Sequence, residues 1–387
     1  MLYALEVLLM LGGILLACEL FTNAVEHFGE KLNLGHEFTG SILAAVGTAL
    51  PETILPLVAI YLAATGLASE SAGKSDIAIG AIIGAPFMLT TLAMFLLGLS
   101  LVVNFKKRQA ILGPKGQDAK FLQIDKEHLL RDLRFFMKTF GIAIFATLFS
   151  TSYMTHIIDS LCGQVFIYEL IYKISGAIPN ACMDDLSFAL RIIAALSLVI
   201  AYIFYLMESY KASKQGAHDD EYDDLPELFM CKIKIPNTMT SVVIQMLIGL
   251  GGIIFFAHHF VDAIQHISTI IGIPALVLSL IVCPIATELP EKFNSWMWSS
   301  HAKDSLAMGN LSGAMVFQSA IPCSIGVLMT PWTLSPLVIV CAALTMASAL
   351  ILYFSIGLKS KVDKYTLLSC GSLYFVYLFL VFSGIVR

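Results

Sequence analysis

Charge is what this sequence has least of: Asp, Glu, Lys and Arg together make up 13 % of its 387 residues. Hydrophobic residues make up 58 %, whereas a soluble domain holds about a quarter charged and about half apolar residues. That balance excludes a soluble globular chain and points to a polytopic membrane protein. Other absences narrow the reading. No Lys or Arg precedes Lys31, so the basic n-region of a cleaved signal peptide is missing. The 8 cysteines show no CxxC or Cys/His spacing, so no cysteine metal cluster is expected. Neither an H-E-x-x-H pair nor a phosphate-binding glycine loop occurs, which argues against an intramembrane enzyme.

What the chain has instead is long apolar runs. Windows of about 20 residues place ten candidate helical spans at 2–26, 38–64, 77–104, 134–152, 187–207, 239–264, 272–298, 306–330, 333–357 and 366–386. Helices are expected because an open sheet edge cannot be satisfied in lipid. Basic residues orient them. Lys106, Lys107, Arg108, Lys115, Lys120, Lys126, Arg131 and Arg134 mark the loop 105–133 as cytoplasmic. Alternation then puts the 211–237 linker and the 358–365 turn inside, the 153–186 loop outside, and both termini outside. Cys162 and Cys182 share that external loop and would pair in an oxidising compartment. The expected location is the plasma (inner) membrane.

Two apolar runs carry acids beside helix breakers. AVGTALPETILPLVAI (45–60) holds Glu52 between Pro51 and Pro56, and VCPIATELPEKFN (282–294) holds Glu291 after Pro290. The second lies on the first at an offset of 239: Pro290 on Pro51, Leu289 on Leu50, Thr287 on Thr48, His266 on His27. In the next span Gly309 and Gly313 fall on Gly80 and Gly84. Five spans separate the copies, an odd number, so they cross in opposite directions. The expected architecture is therefore all-α: ten transmembrane helices as two inverted five-helix repeats, 1–210 and 238–387. Many secondary transporters are built this way, with the site where broken helices meet near the midplane.

Proline supplies the chemistry of the break. Pro51 cannot donate to the carbonyl of Gly47, nor Pro290 to that of Ala286. Thr48 and Glu52 are four apart on one helical face, as are Thr287 and Glu291. Each copy thus offers a carboxylate, a hydroxyl and a loose carbonyl, an all-oxygen set suited to a hard cation such as Ca²⁺. GAIIG (80–84) and GNLSG (309–313) are small-xxx-small patterns that let helices approach closely.

GTALPE followed by DIAIGAIIGAPF, and ATELPE followed by SLAMGNLSGAMVF, resemble the paired α-repeats of the calcium/cation antiporter superfamily, which includes sodium/calcium and calcium/proton exchangers. The resemblance implies that Glu52 and Glu291 bind calcium with Thr48 and Thr287 beside them. The usual repeat reads G-T-S-L-P-E, then G-N-x-x-G-S-N. Its serines are here Ala49, Ala85 and Ala314, and the serine of the second hexapeptide is Glu288. The first asparagine is Ala81, with Asn310 retained in the second copy; Pro86 stands where the pattern has asparagine; one turn further on stand Leu89 and Gln318. The candidate ligands are thus Glu52, Glu291, Thr48, Thr287, Glu288, Gly47, Ala286, Gln318 and Asn310.

Glu288 lies three residues from Glu291, on roughly the same face. Three carboxylates exceed a divalent cation by one negative charge, and a retained proton is the cheapest way to remove the excess from a dehydrated pocket. The counter-ion is therefore Na⁺ or H⁺, with both open. The expected function is exchange of a divalent cation, Ca²⁺ first, for one of them by alternating access. The alternatives are a cation channel, which needs no counter-ion gradient, or transport of another hard divalent cation. The expected partners are inorganic cations and the bilayer, with no cofactor and no nucleic acid. Glu19 and His258 occupy equivalent places under the 239 offset, where an inter-helix hydrogen bond is the plainer role.

Overall fold

The computed structural model describes residues 2–31, 50–65, 71–112, 118–150, 180–215, 227–359 and 361–383. They are mostly helical. The first half contains α1 (Leu2–Lys31), α2 (Leu50–Ala64) and α3 (Ser71–Met88), the last continuing through a π-helical segment, Leu89–Ala93, into α4 (Met94–Val103). The short α5 (Phe105–Leu112) and β1 (Phe121–Leu122) precede α6 (Lys126–Phe145), α7 (Asn180–Gln215) and α8 (Phe229–Lys232). The second half runs α9 (Met239–Ile271), α10 (Ala275–Thr287), α11 (Leu289–Ser300), α12 (Asp304–Met329), α13 (Pro336–Lys359), β2 (Val362–Asp363) and α14 (Lys364–Ser383).

Among the described residues, 7 stretches are long and apolar enough to cross a membrane, and two shorter apolar helices, Glu52–Ala64 and Ala275–Ile285, join them. The difference from ten has physical causes. Part of the expected span 38–64 lies outside the described residues, and the span 272–298 is cut at Glu288, between α10 and α11. The expected fourth span is carried by α6, which opens with the charged KEHLLRDLR. This helix also starts earlier than expected, inside the 105–133 loop, because the Asp125 side chain accepts from the backbone N–H of Glu127 (2.9 Å) and His128 (3.2 Å) and caps it. The helix α7 likewise begins inside the expected 153–186 loop. The Cys162–Cys182 pairing falls on Cys162 and on the side chain of Cys182, outside what is described. The chain is not wholly α-helical outside its spans: β1 pairs antiparallel with β2, Phe121 opposite Asp363 and Leu122 opposite Val362.

Pro86, which has no backbone donor, lies inside α3 just before the π segment. Thr90 Oγ1 donates to the Pro86 carbonyl at 2.9 Å and Thr91 Oγ1 to that of Phe87 at 2.5 Å. Ser348 of α13 donates to the Thr90 carbonyl at 2.6 Å. Local hydroxyls thus satisfy the carbonyls that irregular winding frees, as a helix in lipid requires.

Packing crosses between the halves. The helix α1 lies along α9, and α3 lies against α10 and α2; α12 packs on α6, α7 and α11, while α4 and the π segment pack on α14. Phe87, Phe136, Phe140, Trp332 and Tyr377 fill one core, and Ile14, Leu55, Ala59 and Phe260 another. Leu8 and Leu16 of α1, Ile193 and Phe204 of α7, and Leu247 and Phe255 of α9 are exposed, the pattern of a lipid-facing surface.

The two glycine pairs behave differently. A Cβ at Gly80 would meet Ser279 Oγ and lie 2.5 Å from the Leu276 carbonyl; one at Gly84 would meet the Leu280 carbonyl and lie 2.8 Å from Pro284 Cγ. These glycines therefore seat α3 against the backbone of α10. Gly309 has nothing within 4 Å of its Cβ position, and Gly313 only Tyr205 Oη at 3.8 Å. Gly80→Ala is expected to destabilise the protein by about 1–3 kcal/mol through overpacking, and Gly309→Ala to be near neutral. Thermal unfolding midpoints of the two purified variants check this; equal shifts would contradict the α3–α10 contact.

Arg108, one of the basic residues that orient the chain, is fully buried. Its Nη1 and Nη2 each lie 2.6 Å from Asp304, at the start of α12, in a bidentate pair. The same guanidinium donates to the carbonyls of Ser299 and Phe121. Asp304 also accepts from the Gln123 N–H at 2.9 Å. The segment after the third span is thereby clamped to the α11–α12 junction.

Candidate cation site

The second acidic stretch builds its side of the site from a broken helix. The helix α10 ends at Thr287 and α11 begins at Leu289, with Glu288 between them at φ −96°, ψ 12°. Pro290 stands in the first turn of α11, where a missing N–H costs nothing. Glu291 also sits in that first turn, where the positive end of the helix dipole favours a carboxylate. Thr287 is buried and its hydroxyl donates to the Cys283 carbonyl at 3.2 Å, leaving the oxygen lone pairs free to accept. Ala286 lies in the last turn of α10.

Glu52 approaches from α2, with Pro56 inside the same helix leaving the Glu52 carbonyl without its usual donor. It is 5 % exposed, Glu291 4 %, and Glu288 0 %. Glu291 and Glu288 both lie within electrostatic reach of Glu52. Both carboxylate oxygens of Glu52 and Oε2 of Glu291 are buried with no hydrogen-bond partner. Buried carboxylate oxygens without donors are costly unless something positively charged reaches them. Thr48 and Gly47 lie outside the described residues.

The helix α12 forms the wall. Gln318 is buried beside Glu288, and its Oε1 has no partner. Asn310 uses its amide nitrogen to hold α11, donating to the Glu291 carbonyl and to Ser295 Oγ, each at 3.2 Å. It therefore positions Glu291 rather than facing the carboxylates with its donor end. Among the described residues, no group of three or more His, Cys, Asp and Glu is close enough to hold a metal ion. The three glutamates share one electrostatic neighbourhood without converging as a three-carboxylate ligand cluster.

Sequence reasoning missed three participants. Lys292 is 7 % exposed, with Nζ 3.2 Å from Glu288 Oε2 and 2.9 Å from the Pro284 carbonyl. It follows Glu291 directly and stands four residues from Glu288, an ion-pair spacing on a helix that was legible in TELPEK. It also changes the charge count. With Lys292 counted, three carboxylates stand beside one side-chain amine. Cys18 of α1 is buried within electrostatic reach of Glu52 and Glu291, a neighbour that no sequence spacing signals. Asp132 of α6 is fully buried and accepts from Ser312 Oγ of GNLSG at 2.6 Å, fixing α12 from behind. His258, by contrast, belongs to a separate cluster: it lies 3.6 Å from Asp262, which pairs with Lys74 at 2.9 Å.

A family model described as sodium/calcium exchanger protein matches residues 2–211 and 241–383. Among solved structures, the fold is similar to the crystal structure of the H⁺/Ca²⁺ exchanger CAX, with TM-score 0.63 and 17 % identity over 98 % of this chain and 82 % of that one. Native YfkE gives TM-score 0.55 and 14 % identity over 97 % and 90 %. The sodium-calcium exchanger NCX_Mj, soaked with Na⁺ and Sr²⁺, gives 0.51 and 19 % over 97 % and 98 %. At these identities the likeness is one of fold. A comparison with curated proteins found no match.

Proposed function

This chain belongs to the sodium/calcium exchanger protein family, and from that membership we propose that it is a secondary antiporter that exchanges Ca²⁺, or another hard divalent cation, for Na⁺ or H⁺ by alternating access. The observation that carries the reading is the pair Glu52 and Glu291, both buried and within electrostatic reach of each other, with both side-chain oxygens of Glu52 and Oε2 of Glu291 lacking a hydrogen-bond partner. Two carboxylates with nearby hydroxyl and carbonyl oxygens suit a hard divalent ion and match its charge. Glu52, Glu291, Thr48, Thr287, Gln318 and the carbonyls of Gly47 and Ala286 are its proposed surroundings, with Asn310 holding Glu291 in place and Glu288 paired to Lys292 beside them. The residues do no bond-making chemistry. The protein is an integral multi-pass membrane protein, and we place it in the plasma (inner) membrane with both termini external and the 105–133 segment cytoplasmic.

The proposed architecture is ten spans in two inverted repeats, 1–210 and 238–387, joined by the 211–237 linker. Exchange of partners between the halves supports it. The third span, α3–α4, packs on α13 and α14, while its counterpart α12 packs on α6 and α7. The glycine asymmetry supports alternating access. One copy closes tightly on a broken helix at Gly80 and Gly84, and the other has room at Gly309. Such a difference between equivalent halves is what rocking about a fixed site produces.

The test is Ca²⁺ uptake by proteoliposomes under an outward Na⁺ gradient and, separately, an outward H⁺ gradient. Uptake driven by one of them, with none when the counter-ion is absent, is the expected result. Conductance without any counter-gradient would identify a channel instead.

A further inference from the structure

The second copy of the acidic stretch differs from the first by a matched pair of charges. Under the 239 offset, Glu288 falls on Ala49 and Lys292 on Thr53. The acid and the base thus occur together in one copy, and neither occurs in the other. They meet: Lys292 Nζ is 3.2 Å from Glu288 Oε2, with both side chains buried. The ammonium also turns back across the helix break to the Pro284 carbonyl, 2.9 Å away in the last turn of α10. A carboxylate joined by a carbonyl at the negative end of a half-helix is a seat for a monovalent cation. Here the seat is filled by an ammonium on the chain itself.

Resting on the exchanger reading above, we infer that Lys292 is a tethered cation that takes the place of one diffusible monovalent ion and makes the exchange electroneutral. The charge count carries the argument. The Glu288–Lys292 pair has no net charge, whether its proton sits on nitrogen or is shared with oxygen, so Glu52 and Glu291 alone hold the charge to be neutralised. One divalent ion neutralises it in one half of the cycle, and two monovalent ions do so in the other. At Ala49, Ala85 and Ala314 the side chain offers no oxygen, which fits a smaller number of diffusible-ion seats.

The experiment uses purified full-length protein with two readouts: Ca²⁺ affinity by calorimetry in detergent, and Ca²⁺ distribution across proteoliposomes whose potential is clamped with K⁺ and valinomycin. The wild-type distribution is expected not to move with potential, whereas one net charge per cycle would shift it by about fiftyfold for each 100 mV or so. Glu288→Ala leaves Lys292 unpaired beside the divalent ion, and Ca²⁺ affinity is expected to fall at least about tenfold. Lys292→Thr is expected not to weaken Ca²⁺ binding and to make exchange depend on potential. The double variant Glu288→Ala/Lys292→Thr, which copies Ala49 and Thr53, is expected to return affinity to within about threefold of wild type and to restore independence of potential. A pair that merely braces the fold would weaken binding in both single variants and give no rescue. That pattern, or a wild-type distribution that follows the potential, would overturn the inference. Wild-type protein that binds Ca²⁺ with the expected rescue but exchanges it under no gradient would overturn the exchanger reading and leave the charge compensation standing.

Discussion

Glu52→Gln and Glu291→Gln are each expected to abolish Ca²⁺ uptake by proteoliposomes while leaving the protein folded. With the Glu288–Lys292 pair neutral, these two carboxylates supply all the negative charge that a dehydrated divalent ion meets in the site. Removing one partner of a buried charge interaction typically costs about 3–5 kcal/mol, which at one decade per 1.4 kcal/mol or so is a loss of about two to three and a half orders of magnitude in affinity. The fold has little to lose. Both Glu52 oxygens and Oε2 of Glu291 lack hydrogen-bond partners, so an amide of the same shape breaks no internal bond there. The thermal midpoint without Ca²⁺ is therefore expected to stay level or rise, and its upward shift on adding Ca²⁺ to disappear. Uptake near the wild-type rate in either variant would remove that residue from the site.

The largest stability effect is expected at Arg108. Arg108→Ala leaves Asp304 buried without its bidentate partner, and also strips donors from the carbonyls of Ser299 and Phe121. Breaking such a pair costs about 3–5 kcal/mol, a large part of a typical stability of about 5–15 kcal/mol. Arg108→Lys is expected to recover only part of it, because an ammonium cannot reproduce the planar two-pronged contact with both Asp304 oxygens. A paired replacement by apolar residues, Arg108→Met with Asp304→Leu, is expected to lie closer to wild type than either single change. Thermal unfolding in detergent measures all of these, and limited proteolysis reports whether the 118–123 segment comes loose. A single Arg108→Ala shift equivalent to less than about 1 kcal/mol would place the guanidinium at a solvated surface instead.

Asn310 and Gln318 show how far resemblance reaches. The motif aligns both with ligand positions, and both do lie around the acidic stretch. Their tasks separate only in three dimensions, where Asn310 donates to the Glu291 backbone and Gln318 keeps a buried oxygen without a partner. Lys292 is the reverse case. Its spacing from Glu288 was available in TELPEK, but a lysine near the end of an apolar run is ordinarily read as reaching for the headgroups.

By itself the sequence determined the membrane class, the paired acidic stretches and the positions where a backbone donor is missing. These are local matters. Scarcity of charge decides the solvent, proline decides where a backbone donor is missing, and a four-residue spacing decides which side chains share a face. The tertiary structure alone decided which charges cancel and which glycines bear a contact. Arg108 meets Asp304 across 196 positions of chain, and Gly80 meets Leu276 and Ser279 on a helix from the other half of the molecule. A charge counted along the chain has no fixed energy until its surroundings are known, since the same arginine is a solvated label in a loop and a buried structural pair in a clamp. Burial and long-range pairing set that energy, and neither is a property of local spacing.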